Sequence, residues 1–181
     1  MHNNIEINNL VIAVLFTALG IVLPILFHLV GLGSVFLPMY LPLIIGAFLL
    51  TGVNALLMGI FTPLISALLT GMPPFYPPIV FMMSVQLGII CFFISYVTHR
   101  FKVNILITLV LAIAIDRILL VVLIYLIIPL FHINFGLYTV YDLLKGIPGI
   151  ILIFILAPIL VPRALAVINR YSLRLYEERE E

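Results

Sequence analysis

The sequence predicts an all-α membrane protein, a single domain over residues 1–181 built as a bundle of six transmembrane helices with both termini in the cytoplasm. Three observations predict it. The chain is 65% hydrophobic and 8% charged, with a mean hydropathy of +1.40, far from the roughly half-apolar composition of soluble domains. Its apolar runs approach or exceed the ~20 residues that cross a bilayer. The lysines and arginines of its connections and C-terminal end lie on one side of the resulting topology.

The elements follow in order. The first helix spans about 10–29. The segment before it, MHNNIEINN, has no basic region and no small-residue cleavage site after it, so the helix reads as retained and not as a signal peptide. The second, about 37–51, is short and interrupted by Pro38 and Pro42. The third spans about 54–70, and the fourth, about 78–98, follows the proline-rich stretch from Met72 to Pro78. The fifth spans about 104–128 and stops at Pro129. The sixth, about 141–168, holds Pro148, Pro158 and Pro162, where kinks are expected because neighbouring helices can satisfy the freed carbonyls. A charged cytoplasmic tail, 169–181, completes the chain. His99, Arg100 and Lys102 join helices four and five, and Arg163, Arg170, Arg174 and Arg179 lie at the C-terminal end. The opposite connections, about 28–37, 71–77 and 129–140, contain no Lys or Arg. That asymmetry places both termini inside.

Composition also excludes function classes. A net charge of +1 gives no reason to expect a nucleic-acid partner. The single cysteine, Cys91, cannot form an intramolecular disulfide. There is no Walker A, HExxH, GxSxG or CxxC motif, so the chain is expected to be no enzyme and to carry no ATPase and no cofactor. Within the apolar segments no two histidines or carboxylates share a helical face, which argues against a metal site.

The residues left to carry function are polar groups at membrane depth. Asp116 and Arg117 stand side by side in the apolar run from Ile105 to Ile128. A charge at that depth persists only if it is paired, buried in the bundle or set against a polar cavity. Neighbours on a helix point about 100° apart, so one can face a cavity while the other pairs with an adjacent helix. Gln86 lies ~14 Å and Arg117 ~18 Å below the outer helix ends at 1.5 Å per residue. These residues define a candidate pocket in the outer half of the bundle. Arg117 and Lys145 supply positive charge, Gln86 a hydrogen bond, and Tyr40, Phe75, Tyr76, Tyr138 and Tyr141 aromatic walls. The alternative is a structural network of Asp116, Arg117 and Gln86, with Lys145 reaching the interface. His28 and His132 read as interface residues. On helix one, Ala13, Thr17 and Gly20 form a stripe of small residues that serves either internal packing or a docking face.

Several strings carry a resemblance to a family. They are Leu37-Pro-Met-Tyr-Leu-Pro42, the segment from Gly59 to Pro74 that ends Leu-Leu-Thr-Gly-Met-Pro-Pro, and Gly146-Ile-Pro-Gly-Ile150. With six short helices and no ATPase, the chain resembles the substrate-binding S component of an energy-coupling factor (ECF) vitamin transporter. The resemblance implies capture of a vitamin or vitamin precursor from outside, and docking on a coupling subunit and two ATPase subunits. It also implies a lid made of the 29–36 loop, with Gly31 and Gly33, and the 72–78 loop. Pantothenate suits two cationic groups, and a pyridine or pyrimidine vitamin suits the tyrosines equally. The chain departs from the family in carrying Gln86 where similar members tend to have Glu, and Asp116 where they have Gly. One exchange accounts for both: the acidic partner of Arg117 moves from helix four to helix five. The family's Ala-x-x-x-Ala docking stripe is matched only by Ala13-x-x-x-Thr17. A competing class is a six-helix envelope scaffold with no small-molecule ligand, which has no use for cations beside an outer cavity.

Overall fold

The computed structural model describes residues 2–76, 78–127 and 146–180. Among the described residues the chain is all helical. The elements are α1 (His2–Leu29), a single turn α2 (Gly33–Phe36), α3 (Tyr40–Leu49), α4 (Gly52–Thr70), α5 (Ile79–Phe101), α6 (Ile105–Val122) and α7 (Ile147–Glu180). A π-helical turn, Leu123–Ile127, extends α6. Five segments are long and apolar enough to cross a membrane: Asn9–Leu29, Gly52–Thr70, Ile79–Phe101, Ile105–Tyr125 and Ile147–Ile168.

The sixth expected span differs. The stretch expected as one helix over 37–51 is divided, with α3 covering Tyr40–Leu49 and α2 lying before it. Prolines set the break. Leu37, directly before Pro38, takes a left-handed conformation (φ 48°) and stops α2. Pro42 falls in the first turn of α3, where a missing N–H is no loss because those donors have no partner within the helix. Ten residues give α3 a length of about 15 Å, half the ~30 Å hydrocarbon thickness.

α3 is the centre of the bundle. Nine of its ten residues are buried, as a helix apolar on every side must be. Leu43, Ile44, Ala47 and Phe48 pack with Leu87, Ile90 and Ile94 of α5, Leu109 and Ala112 of α6, and Ile153 and Ala157 of α7. Two side chains of α5 reach its backbone carbonyls. The Ser95 hydroxyl donates to the Leu50 carbonyl at the C-terminal end, an acceptor the helix itself leaves free, and the Cys91 thiol lies 3.7 Å from the Leu43 carbonyl. α4 and α5 form the most extensive helix pair. Their approach depends on Gly59, where a Cβ would collide with the Leu87 carbonyl, and on Gly88, where it would meet Ile60 Cγ1 at 2.6 Å.

The small stripe of α1 faces inward. A Cβ on Gly20 would lie 2.5 Å from Leu43 Cδ1 and 2.9 Å from Thr62 Cγ2. Thr62 donates to Thr17 Oγ1 at 3.2 Å, and Ala13 packs on the core. These three residues hold α1 against α3 and α4. Val11, Val14, Leu15 and Val22 form the outward face of α1.

Candidate ligand-binding site

A cavity of about 580 Å³ opens where α3 begins. Each element contributes from one end. Pro24 and His28 come from the C-terminal end of α1, and Leu37 to Tyr40 from the entry to α3. Gly71 to Pro74 follow the C-terminal end of α4, and Ile79, Met82, Met83 and Gln86 lie in the N-terminal half of α5. Arg117 and Leu120 come from the C-terminal half of α6, and Gly146 precedes α7. C-terminal and N-terminal ends alternate along the chain, so the start of α1 and the end of α7 both lead away from the cavity.

The polar floor is a network centred on Asp116. Its carboxylate is buried (4% exposed) and accepts from Tyr40 Oη at 3.3 Å, Gln86 Nε2 at 3.2 Å and Arg117 Nη2 at 2.6 Å. Three donors from three helices saturate it, which is what a buried carboxylate needs to remain in an apolar bundle. Asp116 does not border the cavity; Arg117, Gln86 and Tyr40 do. The Arg117 side chain is 27% exposed, and its Nε is buried without a hydrogen-bond partner among the described residues. A guanidinium has five donors in a fixed fork. Asp116 holds Nη2 and neutralises the charge, and the partly exposed side chain borders the cavity. The two charges thus divide as their 100° separation on the helix allows: the acid turns toward α3 and α5, and the base reaches the cavity while bonded to its neighbour.

The connections that cap the cavity are held locally. Gly71 ends α4 with φ 72°, a conformation that favours glycine. The Met72 carbonyl accepts from Ser66 Oγ at 2.8 Å and Thr70 Oγ1 at 3.2 Å, which fixes the start of the 72–78 segment. On the other side the imidazole of His28 lies directly over Gly33, where a Cβ would be 2.5 Å from its Cε1. Phe36 in α2 meets Phe27 of α1 with ring centroids 5.8 Å apart. Gly149 allows the Phe36 carbonyl to approach α7, where a Cβ would stand 2.6 Å from it.

Of the residues expected at the site, Tyr40, Gln86 and Arg117 converge on the cavity. Phe75 and Tyr76 do not. Tyr76 is 84% exposed, and Phe75 packs edge-on against Phe81, 6.2 Å between centroids, on the outside of α5. The backbone of Pro73 and Pro74 turns those rings away and places the prolines against the cavity. Lys145, Tyr138 and Tyr141 lie outside the described residues, as do His132 and Asp142. His28, expected at an interface, lines the cavity. The sequence reading missed Met39, Met72, Met82 and Met83, all of which line it. Ile79, Met82, Met83 and Gln86 follow i, i+3, i+4, i+7 spacing on α5, a pattern visible without coordinates.

Compared with known families, residues 8–161 match the ECF transporter substrate-specific component. The chain belongs to that family. No curated protein and no solved structure matches it. Membership makes the chain a substrate-binding component of a transporter and not itself an enzyme, a multi-pass protein of the cell membrane that associates with an ECF module of ATPases and coupling subunit. The strings that carried the resemblance have physical roles here. Gly59 and Gly149 are sites of close backbone approach, and Leu37 to Tyr40 and Gly71 to Pro74 form cavity wall.

Proposed function

We propose that this S component captures a small carboxylate-bearing vitamin or precursor in the 580 Å³ cavity, with Arg117 as the group that reads the carboxylate. The observation that carries the reading is Arg117 at the wall, its side chain 27% exposed and held at Nη2 by the buried Asp116. Charge-assisted bonds to a carboxylate are the strong use of such a fork. Gln86 and Tyr40 add polar contacts at the same floor, and Lys145 with Tyr138 and Tyr141 are assigned to the remaining wall. Pantothenate is a compound of this class, and a pyridine or pyrimidine vitamin is the alternative the tyrosines allow.

In this reading the whole chain is one membrane domain, and α3 with the turn before it stands as the sixth crossing. Both termini are cytoplasmic, as the Lys and Arg asymmetry supports, and the cavity then opens outward. The loaded protein docks on the coupling subunit and its two ATPases, which supply the energy that the chain has no motif to supply.

The test is a thermal-shift screen of the detergent-purified protein against water-soluble vitamins and their precursors. A ligand that binds only the native state adds about 4 kcal/mol at a thousandfold excess over Kd. The expected result is a hit among carboxylates that weakens more than tenfold in Arg117→Ala. Equal binding by that variant would remove charge recognition, and no hit from folded protein would favour a scaffold.

A further inference from the structure

Four of the six methionines in the chain line one cavity. They arrive from three separate places: Met39 at the entry to α3, Met72 after α4, and Met82 and Met83 on α5. Met39 and Met82 are buried and Met83 is half-buried, so these three are wall residues, while Met72 is exposed at the rim. Bulk apolarity does not explain the choice. Leucine and isoleucine are far more numerous in this chain, yet among the described residues only Leu37, Ile79 and Leu120 reach the cavity. Rings are scarce as well, since Tyr40 and His28 are the only ones in the described lining. What methionine supplies beyond leucine is an unbranched, adjustable chain and a polarisable sulfur that makes favourable contacts with aromatic rings.

We infer that the ligand carries a planar aromatic ring beside its carboxylate, and that Met82 and Met83 are specificity-determining residues that hold this ring by sulfur contact while Arg117 holds the acid. The inference rests on the proposed carboxylate-binding reading and narrows it: a ring-bearing acid is favoured over an aliphatic one. The register of α5 supports the division. Met82 and Met83 stand one helical turn from Gln86, whose amide donates to Asp116 beside Arg117, so a ligand anchored at Arg117 extends along the methionine face.

The experiment measures the affinities of the purified protein for nicotinate and 4-aminobenzoate, two aromatic carboxylates, and for pantothenate, an aliphatic one. The wild-type protein, Met82→Leu/Met83→Leu, and protein in which norleucine replaces methionine throughout are compared, with Met58→Leu, a core methionine away from the cavity, as control. Leucine keeps volume; norleucine keeps volume and flexibility and removes only sulfur. The expected result is that at least one aromatic acid binds more tightly than pantothenate. Its advantage should fall roughly fivefold to tenfold in both the double variant and the norleucine protein, with Met58→Leu like wild type. Tighter binding of pantothenate than of both aromatic acids overturns the inference and leaves the carboxylate reading standing. An aromatic preference that survives norleucine replacement also overturns it, and binding of none of the three removes both.

Discussion

The two ends of α3 sit in the same bundle and are built in opposite ways. At its C-terminal end Phe48, Leu49 and Leu50 are closed over by α5, and the last carbonyl is capped by Ser95. At its N-terminal end Tyr40 opens on a cavity and donates to a buried carboxylate. The closed end is held by dispersion and apolar fit, which tolerate no vacancy. The open end is held by a polar network whose members satisfy one another, so a space can stand beside it without collapse. In the proposed reading, stability and ligand recognition share residues at one end and are separate at the other.

The largest effects should come from breaking either end at its centre. Asp116→Ala strands the Arg117 charge and two further donors, and should cost about 3–5 kcal/mol, read as a loss of melting temperature in detergent together with loss of binding. Asp116→Asn should be milder. Adding Gln86→Glu should restore stability, because the new carboxylate can accept from the new amide in the place where the present bond runs the other way. A double variant no more stable than Asp116→Asn argues against the exchange of acidic partner between helices.

Phe48→Ala should cost about 3–5 kcal/mol as well, yet leave ligand preference as it was. A changed preference would dissolve the distinction between the two ends. Gly59→Ala comes next, at about 1–3 kcal/mol, because its Cβ meets backbone that cannot step aside. Gly88→Ala should cost less, since Ile60 is a side chain that can rotate. The smallest change in stability is expected for Ser95→Ala, about 1 kcal/mol, with no effect on binding. Equal effects of Gly59→Ala and Gly88→Ala on melting temperature would show that the α4–α5 contact yields more than its geometry suggests.

What was legible in the sequence followed what is periodic or rare. Long apolar runs announce helices because each must bury or lipidate about 20 residues. A charge pair inside one of them announces a polar site because no other place tolerates it. Direction was harder to read. Phe75 and Tyr76 have the composition of a binding wall, but the prolines beside them turn the rings outward, and that depends on loop backbone that no spacing rule supplies. Gly20, Thr17 and Ala13 read as a packing stripe or a docking stripe, and their packing partners, Leu43 and Thr62, are distant in sequence. The methionine face of α5 was legible by period but not by type, since methionine passes for ordinary core until its neighbours are known.

α3 stops about 15 Å short of a full crossing, and the cavity begins at its first residue. One turn of helix, a cylinder about 10 Å wide and 5.4 Å tall, fills about 420 Å³. The 580 Å³ space is therefore equivalent to between one and two turns of polypeptide that this helix does not have. Capacity for cargo becomes a matter of where one proline-interrupted segment starts to coil. Moving that start by a single turn would resize the chamber without altering any other helix of the scaffold.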